Sequence, residues 1–495
     1  MKESLKVWFL SPEVAPFAKT GGLADMAGSL PGTLRKLGVD VRVGLPYYRM
    51  VQEGPFSIRK ALSGLAVPSE GGELEGEVME TETQDGVPVY LFGRKGFFDR
   101  AHLYGTPEGD YRDNLKRFAY FSRGALVFAR AVGFSFDVVH CHDWQTGLVP
   151  AYLKTLYRQD PFFSLAASVF TVHNMGYQGL FPAEELSASG LPASEFHPEG
   201  IEYWGNISLL KAGIVYGDVI TTVSPRYSKE IQTPEFGLGM EALLANRSAD
   251  LYGILNGADD STWNPATDSH IKANYSVGHT RGKESCKAAL VHEMGLDERF
   301  LDRPVLAMVS RLTAHKGYDL LLEIIEEVVA LDAALVVLAT GEEAYERALG
   351  QVGQRYPESV AVKIGFDEPL AHRIMAGADM FLAPSRYEPC GLTQIYALKY
   401  GTVPVVRATG GLDDTIEPFQ PRSGQGNGFK FSEYEAKDFL AQIKEALHVY
   451  GDKALWQVLV ENGMGADFSW EESARRYVEL YEKVKEKSWR HMKAL

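Results

Sequence analysis

Short apolar runs alternate with helix-periodic segments along this chain, and the alternation occurs twice. Residues 5–10 lead through a glycine-containing loop into Leu23, Met26, Ala27, Leu30, Leu34 and Leu37 at helical spacing; Gly38 then ends the helix and residues 39–45 supply a second run. Residues 87–92, 137–141, 167–172 and 219–223 continue the pattern. Runs this short, bounded by glycine and proline and separated by helical stretches, predict a parallel sheet with crossover helices. The rhythm pauses over residues 257–265 and restarts with apolar runs at 305–310, 334–339, 361–364, 380–384 and 403–406. A chain of 495 residues is too long for one ordinary core. The reading is therefore two similar α/β domains, over residues 1–260 and 261–475. The carboxyl ends of their sheets are expected to face a central cleft, since open sheets bind ligands at those ends.

Composition narrows the partners. With 45% hydrophobic and 23% charged residues the chain has the balance of a folded globular protein. A net charge of −15 argues against nucleic acid, whose phosphates select basic surfaces, and suits a neutral polymer without identifying one. The three cysteines, Cys141, Cys286 and Cys390, are too few and too irregular for a disulfide framework, which predicts a reducing, cytoplasmic setting. No run approaches the ~20 apolar residues of a membrane helix, and Lys6 interrupts the N-terminal run before it reaches signal-segment length.

Two local patterns refine this organisation. Thr20-Gly-Gly-Leu-Ala-Asp25 is echoed by Thr409-Gly-Gly-Leu-Asp-Asp414, each after an expected strand. Each alone is a glycine turn with a helix start; together they suggest backbone approached closely from either side of the cleft. Ser469-Trp-Glu-Glu472 reads as a capping box, followed by Trp470, Ala474, Tyr477, Tyr481 and Val484 on one face. The helix is longer than closing the second sheet requires, so residues 476–495 are expected to cross back onto the first domain.

Several segments carry chemistry. Gly21 and Gly22, without Cβ atoms, let backbone N–H groups reach an anion at a helix start, and Lys19 precedes them. The loop is not the dinucleotide fingerprint, and a tight turn remains the alternative. In Ser310-Arg-Leu-Thr-Ala-His-Lys-Gly317, Arg311 and Lys316 can converge on one diphosphate across a turn at a strand end; a solvated basic turn is the alternative. In Pro384-Ser-Arg-Tyr-Glu-Pro-Cys-Gly-Leu-Thr-Gln394 a strand ends, Glu388 follows, and a helix begins near Gly391. The amides around Leu392 and Thr393 would point at an anion, with Glu388 accepting sugar hydroxyls or merely complementing the helix start. Cys390 reads as a packed thiol. His140-Cys-His-Asp-Trp144 looks superficially like a metal site, but consecutive strand residues face opposite ways, so these side chains cannot all ligate one ion. Asp143 and Trp144 suit a sugar better, as a hydroxyl acceptor beside an aromatic face. His173, in Thr171-Val-His-Asn174, is either functional or a satisfied core histidine.

Taken together, residues 19–25, 140–144, 171–174, Asn256-Gly257, 310–317, 385–394, 409–414 and 467–470 resemble, in order and spacing, the bacterial glycogen synthase and plant starch synthase family. The resemblance covers almost the whole chain. It implies an α/β GT-B fold, two Rossmann-like domains facing a central cleft. It implies glucose transfer from ADP-glucose to the nonreducing 4-hydroxyl of an α-1,4-glucan with retention, and no metal or cofactor. By position, Lys19, Gly21 and Gly22 approach the donor phosphates and sugar, and Asp25 lies on the acceptor side. Arg311 and Lys316 bind the diphosphate with the helix start at Leu392 and Thr393, next to Cys390 and Gly391. Glu388, Asn256, His173 and Asn174 surround the glucose, and the His173 carbonyl stabilises positive charge at the anomeric carbon. Phe366 replaces the family's usual tyrosine as adenine platform, and Tyr104 keeps an acceptor role in a loop, Asp99-Arg-Ala-His-Leu-Tyr104, that departs from the family pattern. Without a nucleophile, and without the carboxyl pair about 5 Å apart of a retaining glycosidase, retention implies a front-face displacement. A different GT-B enzyme using UDP-glucose, a phosphorylase, or an inactive glucan-binding protein are the competing readings.

Overall fold

The computed structural model describes residues 4–106 and 108–494. It divides into two compact units. The first contains the chain up to Val223, then Ser228–Leu255 and the chain from Trp470 onward; the second contains Ser224–Tyr227 and Asn256–Ser469. The return to the first unit thus falls at Trp470, where the last helix, Trp470–Ala494, begins.

In the first unit, nine strands form one sheet in the order Leu251–Gly253, Val219–Thr222, Ala167–Val172, Val138–His142, Lys6–Leu10, Asp40–Pro46, Pro88–Gly93, Gly72–Glu82, Arg59–Ser69. The first seven pair in parallel; the last two add an antiparallel hairpin. Sequence periodicity missed that hairpin because its strands are polar, and register shifts between Lys60 and Leu62 and between Ser63 and Leu65 break the alternation. The central strand Lys6–Leu10 is buried from Val7 to Leu10. Its following helix, Gly22–Lys36, ends as expected before Gly38, whose φ of +89° carries the chain into a left-handed turn.

The last helix lies on this sheet. Trp470, Ala474, Tyr477, Tyr481 and Val484 are buried, and the Tyr481 hydroxyl meets His140 Nδ1 at 2.7 Å. His140 Nε2 meets Thr171 Oγ1 at 2.6 Å, and Thr171 meets Thr221 at 2.5 Å. A chain of partnered polar groups therefore runs beneath the helix, satisfying atoms that burial would otherwise strand.

The second unit carries a six-stranded, wholly parallel sheet in the order Val360–Ile364, Ala334–Gly341, Val305–Leu312, Met380–Ala383, Val403–Arg407, Phe429–Phe431. Counted along the chain this is the 3-2-1-4-5-6 order of a nucleotide-binding sheet. Alternate residues serve two cores: Leu306, Met308, Leu335 and Val337 on one face, Val305, Ala307, Val336 and Leu338 on the other. Burial on both faces accounts for the continuous apolar runs seen in the sequence.

Candidate active site

Open sheets bind ligands where the strand order reverses. In the first unit this point lies between Lys6–Leu10 and Val138–His142; in the second it lies between Val305–Leu312 and Met380–Ala383. The loops leaving those four strands hold most of the residues selected from sequence.

In the first unit the organising group is Glu13, which sequence reasoning missed. Its buried carboxylate accepts the Thr20 N–H and hydroxyl, each at 2.6 Å, the Gly21 N–H at 3.3 Å, and the Tyr104 hydroxyl at 2.8 Å. The available signal was an acid flanked by Pro12 and Pro16 just before the glycine loop. This corrects the expectation that the loop amides await an outside anion: those of Thr20 and Gly21 already hold an internal carboxylate. A Cβ on Gly21 would meet nothing within 4 Å, so the space before it is open. Lys19 pairs with Asp25 at 2.6 Å.

Asp143 sits at φ +56°, an uncommon conformation for a residue with a side chain. Its buried carboxylate accepts the His173 N–H at 2.7 Å and an N–H from Asn174. Burial, with repulsion from Glu13, pushes its carboxyl up to about 7 despite those two donors. The structure thus uses Asp143 to hold the 173–174 loop, where the expectation was an acceptor for sugar hydroxyls. His173 Nε2 meets His142 Nδ1 at 3.0 Å, and burial holds the His173 imidazole down to about 3, hence neutral. Asn174 Oδ1 accepts the Gly176 N–H at 2.8 Å. Trp144 is corrected more sharply. Its ring is buried against Phe118, Phe181 and Gly179, where an added Cβ would lie 2.6 Å away, so it offers no face to a sugar.

In the second unit two loops fuse. Gly317, at φ +79°, brings its backbone so close that a Cβ would lie 2.1 Å from the Pro384 carbonyl. Arg386 N–H donates to the His315 carbonyl at 2.7 Å, and His315 stacks on Tyr387. This places Lys316 Nζ 2.5 Å from Glu388 Oε2, with both side chains largely buried. Ser385 Oγ adds a longer 3.3 Å contact to the same oxygen. Arg311 is exposed at its strand end. The His315 imidazole is held down to about 4, first by burial, then by repulsion from Lys316, which Glu388 offsets in part, and last by repulsion from Arg311.

The helix Thr393–Lys399 starts beside them without a side-chain cap from Leu392. Gly391 takes φ +66°, and Gln394 Nε2 ties the turn by donating to the Cys390 and Gly391 carbonyls. Burial pushes the Cys390 thiol up to about 12, although the Asn256 N–H donates to it. Cys390 is a packed thiol. Asn256 is buried, and its Oδ1 has no partner among the described residues. Phe366 stands apart, two strands over from Arg311, with its ring 82% exposed.

The echoed turn at residues 409–414 serves a different purpose from its counterpart. A Cβ on Gly410 would lie 1.9 Å from the Glu388 carbonyl, and one on Gly411 would lie 1.8 Å from the Cys390 carbonyl. The close approach inferred for a ligand is here made by the protein's own backbone, with Gly411 N–H donating to the Glu388 carbonyl at 3.1 Å. Among the described residues no three His, Cys, Asp or Glu side chains form a metal-binding group, and no helix is long and apolar enough to cross a membrane.

Residues 6–246 match the family model of the starch synthase catalytic domain, and residues 297–462 match that of glycosyl transferases group 1. The glycogen synthase of Koribacter versatilis is 47% identical over 97% of this chain and 99% of its own length. That of Syntrophotalea carbinolica is 46% identical over 97% and 99%. The catalytic domain of starch synthase IV from Arabidopsis thaliana, solved with ADP and acarbose, superposes with a TM-score of 0.90 at 33% identity, covering 98% of this chain and all of that one. A sucrose-phosphate synthase from Thermosynechococcus elongatus, at 17% identity and a TM-score of 0.59 over 97% and 99%, shares the fold. The chain is a GT-B glycosyltransferase and belongs to the glycogen and starch synthase family.

Proposed function

We propose that the chain transfers glucose from ADP-glucose to the nonreducing-end 4-hydroxyl of an α-1,4-glucan, with retention of configuration and without a metal. The observation that carries this reading is Lys316, largely buried at 2.5 Å from Glu388 at the switch point of the second sheet, with Arg311 at the end of the preceding strand and a helix start without a side-chain cap at Thr393. A departing diphosphate needs that cationic stabilisation, and placed charges act most strongly where charge develops in the transition state. Glu388 then turns to the sugar hydroxyls, and the exposed Phe366 ring offers the adenine a stacking face.

In the first unit the candidate group at the anomeric centre is the His173 carbonyl. Asp143 fixes its direction. Asn174 N–H points at the Asp143 carboxylate, and in a trans peptide the C=O of the preceding residue points the opposite way. The His173 carbonyl is thereby aimed away from Asp143. A neutral His173 ring adds no positive charge where positive charge is to form. Asp143 is a positioning residue in this scheme. Lys19, Gly21, Asn174 and Asn256 are assigned to the donor, and Asp25 and Tyr104 to the acceptor. The Thr20 and Gly21 amides, being engaged by Glu13, are not assigned to the phosphates.

The test is incorporation of labelled glucose into a glycogen primer from ADP-glucose and, in parallel, UDP-glucose. Polymer labelling with ADP-glucose preferred is expected. Equal efficiency with both donors would remove the nucleotide assignment, and no incorporation from either would remove the synthase reading.

A further inference from the structure

Two large hydrophobic side chains among the described residues are far more exposed than the rest: Phe366 at 82% and Trp204 at 80%. The first has a role above; the second has none. Trp204 occupies the tip of a hairpin between Glu202–Tyr203 and Asn206–Ser208, in which Tyr203 pairs with Asn206. Trp204 and Gly205 are therefore its two turn residues, at φ +50° and +79°. Such turns need positive φ at both positions and favour Asn, Asp or Gly at the first. Tryptophan is a poor choice for stability there, and it holds an indole out in solvent.

The neighbourhood fixes the hairpin. Tyr203 OH donates to the Leu238 carbonyl at 2.5 Å, and Gln178 Nε2 donates to the same oxygen at 3.2 Å. Gly205 N–H donates to Glu202 at 2.7 Å, and Gly239 N–H donates to Glu241 at 2.9 Å. Leu238 is itself a non-glycine residue at positive φ, +49°. Tyr177, Leu180 and Leu238 are exposed around this support. The patch is continuous with the loop leaving Ala167–Val172, because residues 173–180 run from His173 to Leu180 at the hairpin sheet.

We infer that Trp204 is a stacking platform for the α-glucan chain, holding it at sugars beyond the one that reacts. The occupant follows from charge and shape. The Glu202 and Glu241 carboxylates hold the turn amides, while Lys211, whose ammonium donates to the Pro198 and Glu202 carbonyls, is buried, so the tip presents carboxylates on a chain of net charge −15, which disfavours a phosphate-bearing or acidic partner. A glucan is neutral, presents an apolar sugar face to an indole, and has hydroxyls at its rim for carboxylate and amide groups. The inference rests on the reading that the polymer is an α-glucan, and adds a determinant of its chain length.

Native electrophoresis through gels containing glycogen, without donor, compares the full-length protein with Trp204→Ala, Trp204→Phe and Trp204→Asn. Trp204→Asn suits the turn better than tryptophan, so its melting temperature should equal or exceed wild type, and misfolding cannot account for lost retardation. The expected result is an apparent Kd for glycogen about 10-fold higher in the Ala and Asn variants, with Phe retaining most of the affinity. The KM for glycogen should rise by a similar factor relative to that for maltotriose. Equal retardation of wild type and Trp204→Asn would overturn the platform. So would loss of a dimer in sedimentation with retardation unchanged, which would make the patch a contact between copies. Retardation needs no turnover, so an inactive protein whose binding still depends on Trp204 would sink the synthase reading and leave the platform standing.

Discussion

The two Thr-Gly-Gly turns look alike in sequence and differ in what touches them, so alanine substitutions should separate them. At Gly411 a Cβ would sit 1.8 Å from the Cys390 carbonyl, whereas real Cβ contacts stay above 3.0 Å. The 388–391 loop must then give by about 1.2 Å, since close-packed backbone has nowhere else to go. That loop carries Glu388 and sets the start of Thr393–Lys399. A misplacement of about 1 Å in a catalytic arrangement costs ~10²-fold, or ~2.7 kcal/mol of transition-state stabilisation. Gly411→Ala should lower kcat/KM for ADP-glucose by about that factor and stability by ~1–3 kcal/mol from overpacking.

Gly21 is the control with opposite expectations. It has open space in front and an extended backbone, φ −162°, that alanine adopts freely. Gly21→Ala should leave the melting temperature close to wild type and lower kcat/KM only through the ligand its Cβ would meet. The assay is initial rate on a glycogen primer with thermal melting of both variants. Wild-type kinetics in Gly411→Ala, or equal losses of stability in the two, would refute the assignment of one turn to the protein and the other to the ligand.

Lys316→Ala should reduce kcat by ~10²–10³-fold, about 2.7–4 kcal/mol, while glycogen retardation stays as in wild type; near-normal turnover at saturating donor would remove Lys316 from the mechanism. Phe366→Ala should raise the KM for ADP-glucose by ~3- to 10-fold through lost stacking, and an unchanged donor affinity would end that ring's role. Acid should destabilise the fold. Burial holds His140, His142 and His173 below the ordinary histidine value, His173 at about 3, so below pH ~6.5 the unfolded chain takes up protons the folded chain refuses. Their stabilisation is complete above that pH and falls by ~1.4 kcal/mol per unit per histidine as pH drops. Asp143, raised to about 7, opposes this with one proton's worth between pH 7 and its unfolded value, leaving a net loss. Melting temperatures that stay level from pH 7 to 5 would contradict it.

Most strands were legible because parallel sheets buried on both faces write themselves as uninterrupted apolar runs; Ala167–Val172 is one with every residue buried. The Arg59–Glu82 hairpin was not, because bulges and solvent on one side erase that signature. Lys316 and Glu388 were legible as residues at strand ends, but their direct contact depends on Gly317 meeting Pro384 across 67 residues of chain, which no local pattern encodes. Glu13 and Trp144 failed in opposite ways. Glu13 looked like an ordinary acid in a proline-rich loop, and only folding brings Thr20, Gly21 and Tyr104 to it. Trp144 follows a polar run that suggests an aromatic face offered to a sugar, whereas Gly179, at φ +58°, lets backbone cover its ring.

On the proposed assignment, the Lys316–Glu388 pair would couple recognition of phosphate to recognition of sugar. Both side chains are largely withdrawn from water, and removing one partner of such a pair strands the other at substantial cost. A diphosphate drawing Lys316 to itself leaves the Glu388 carboxylate needing donors, with the 3.3 Å contact from Ser385 its remaining side-chain partner among the described residues. Sugar hydroxyls attached to that same diphosphate would be the donors nearest to hand. A nucleoside diphosphate alone would take the lysine and leave the carboxylate unsatisfied, so part of its phosphate contact energy would be lost again. Only the complete nucleotide sugar would satisfy both halves. Discrimination of this kind comes from the penalty of an unpaired buried charge, and it rests on the 2.5 Å pairing of the lysine with the carboxylate.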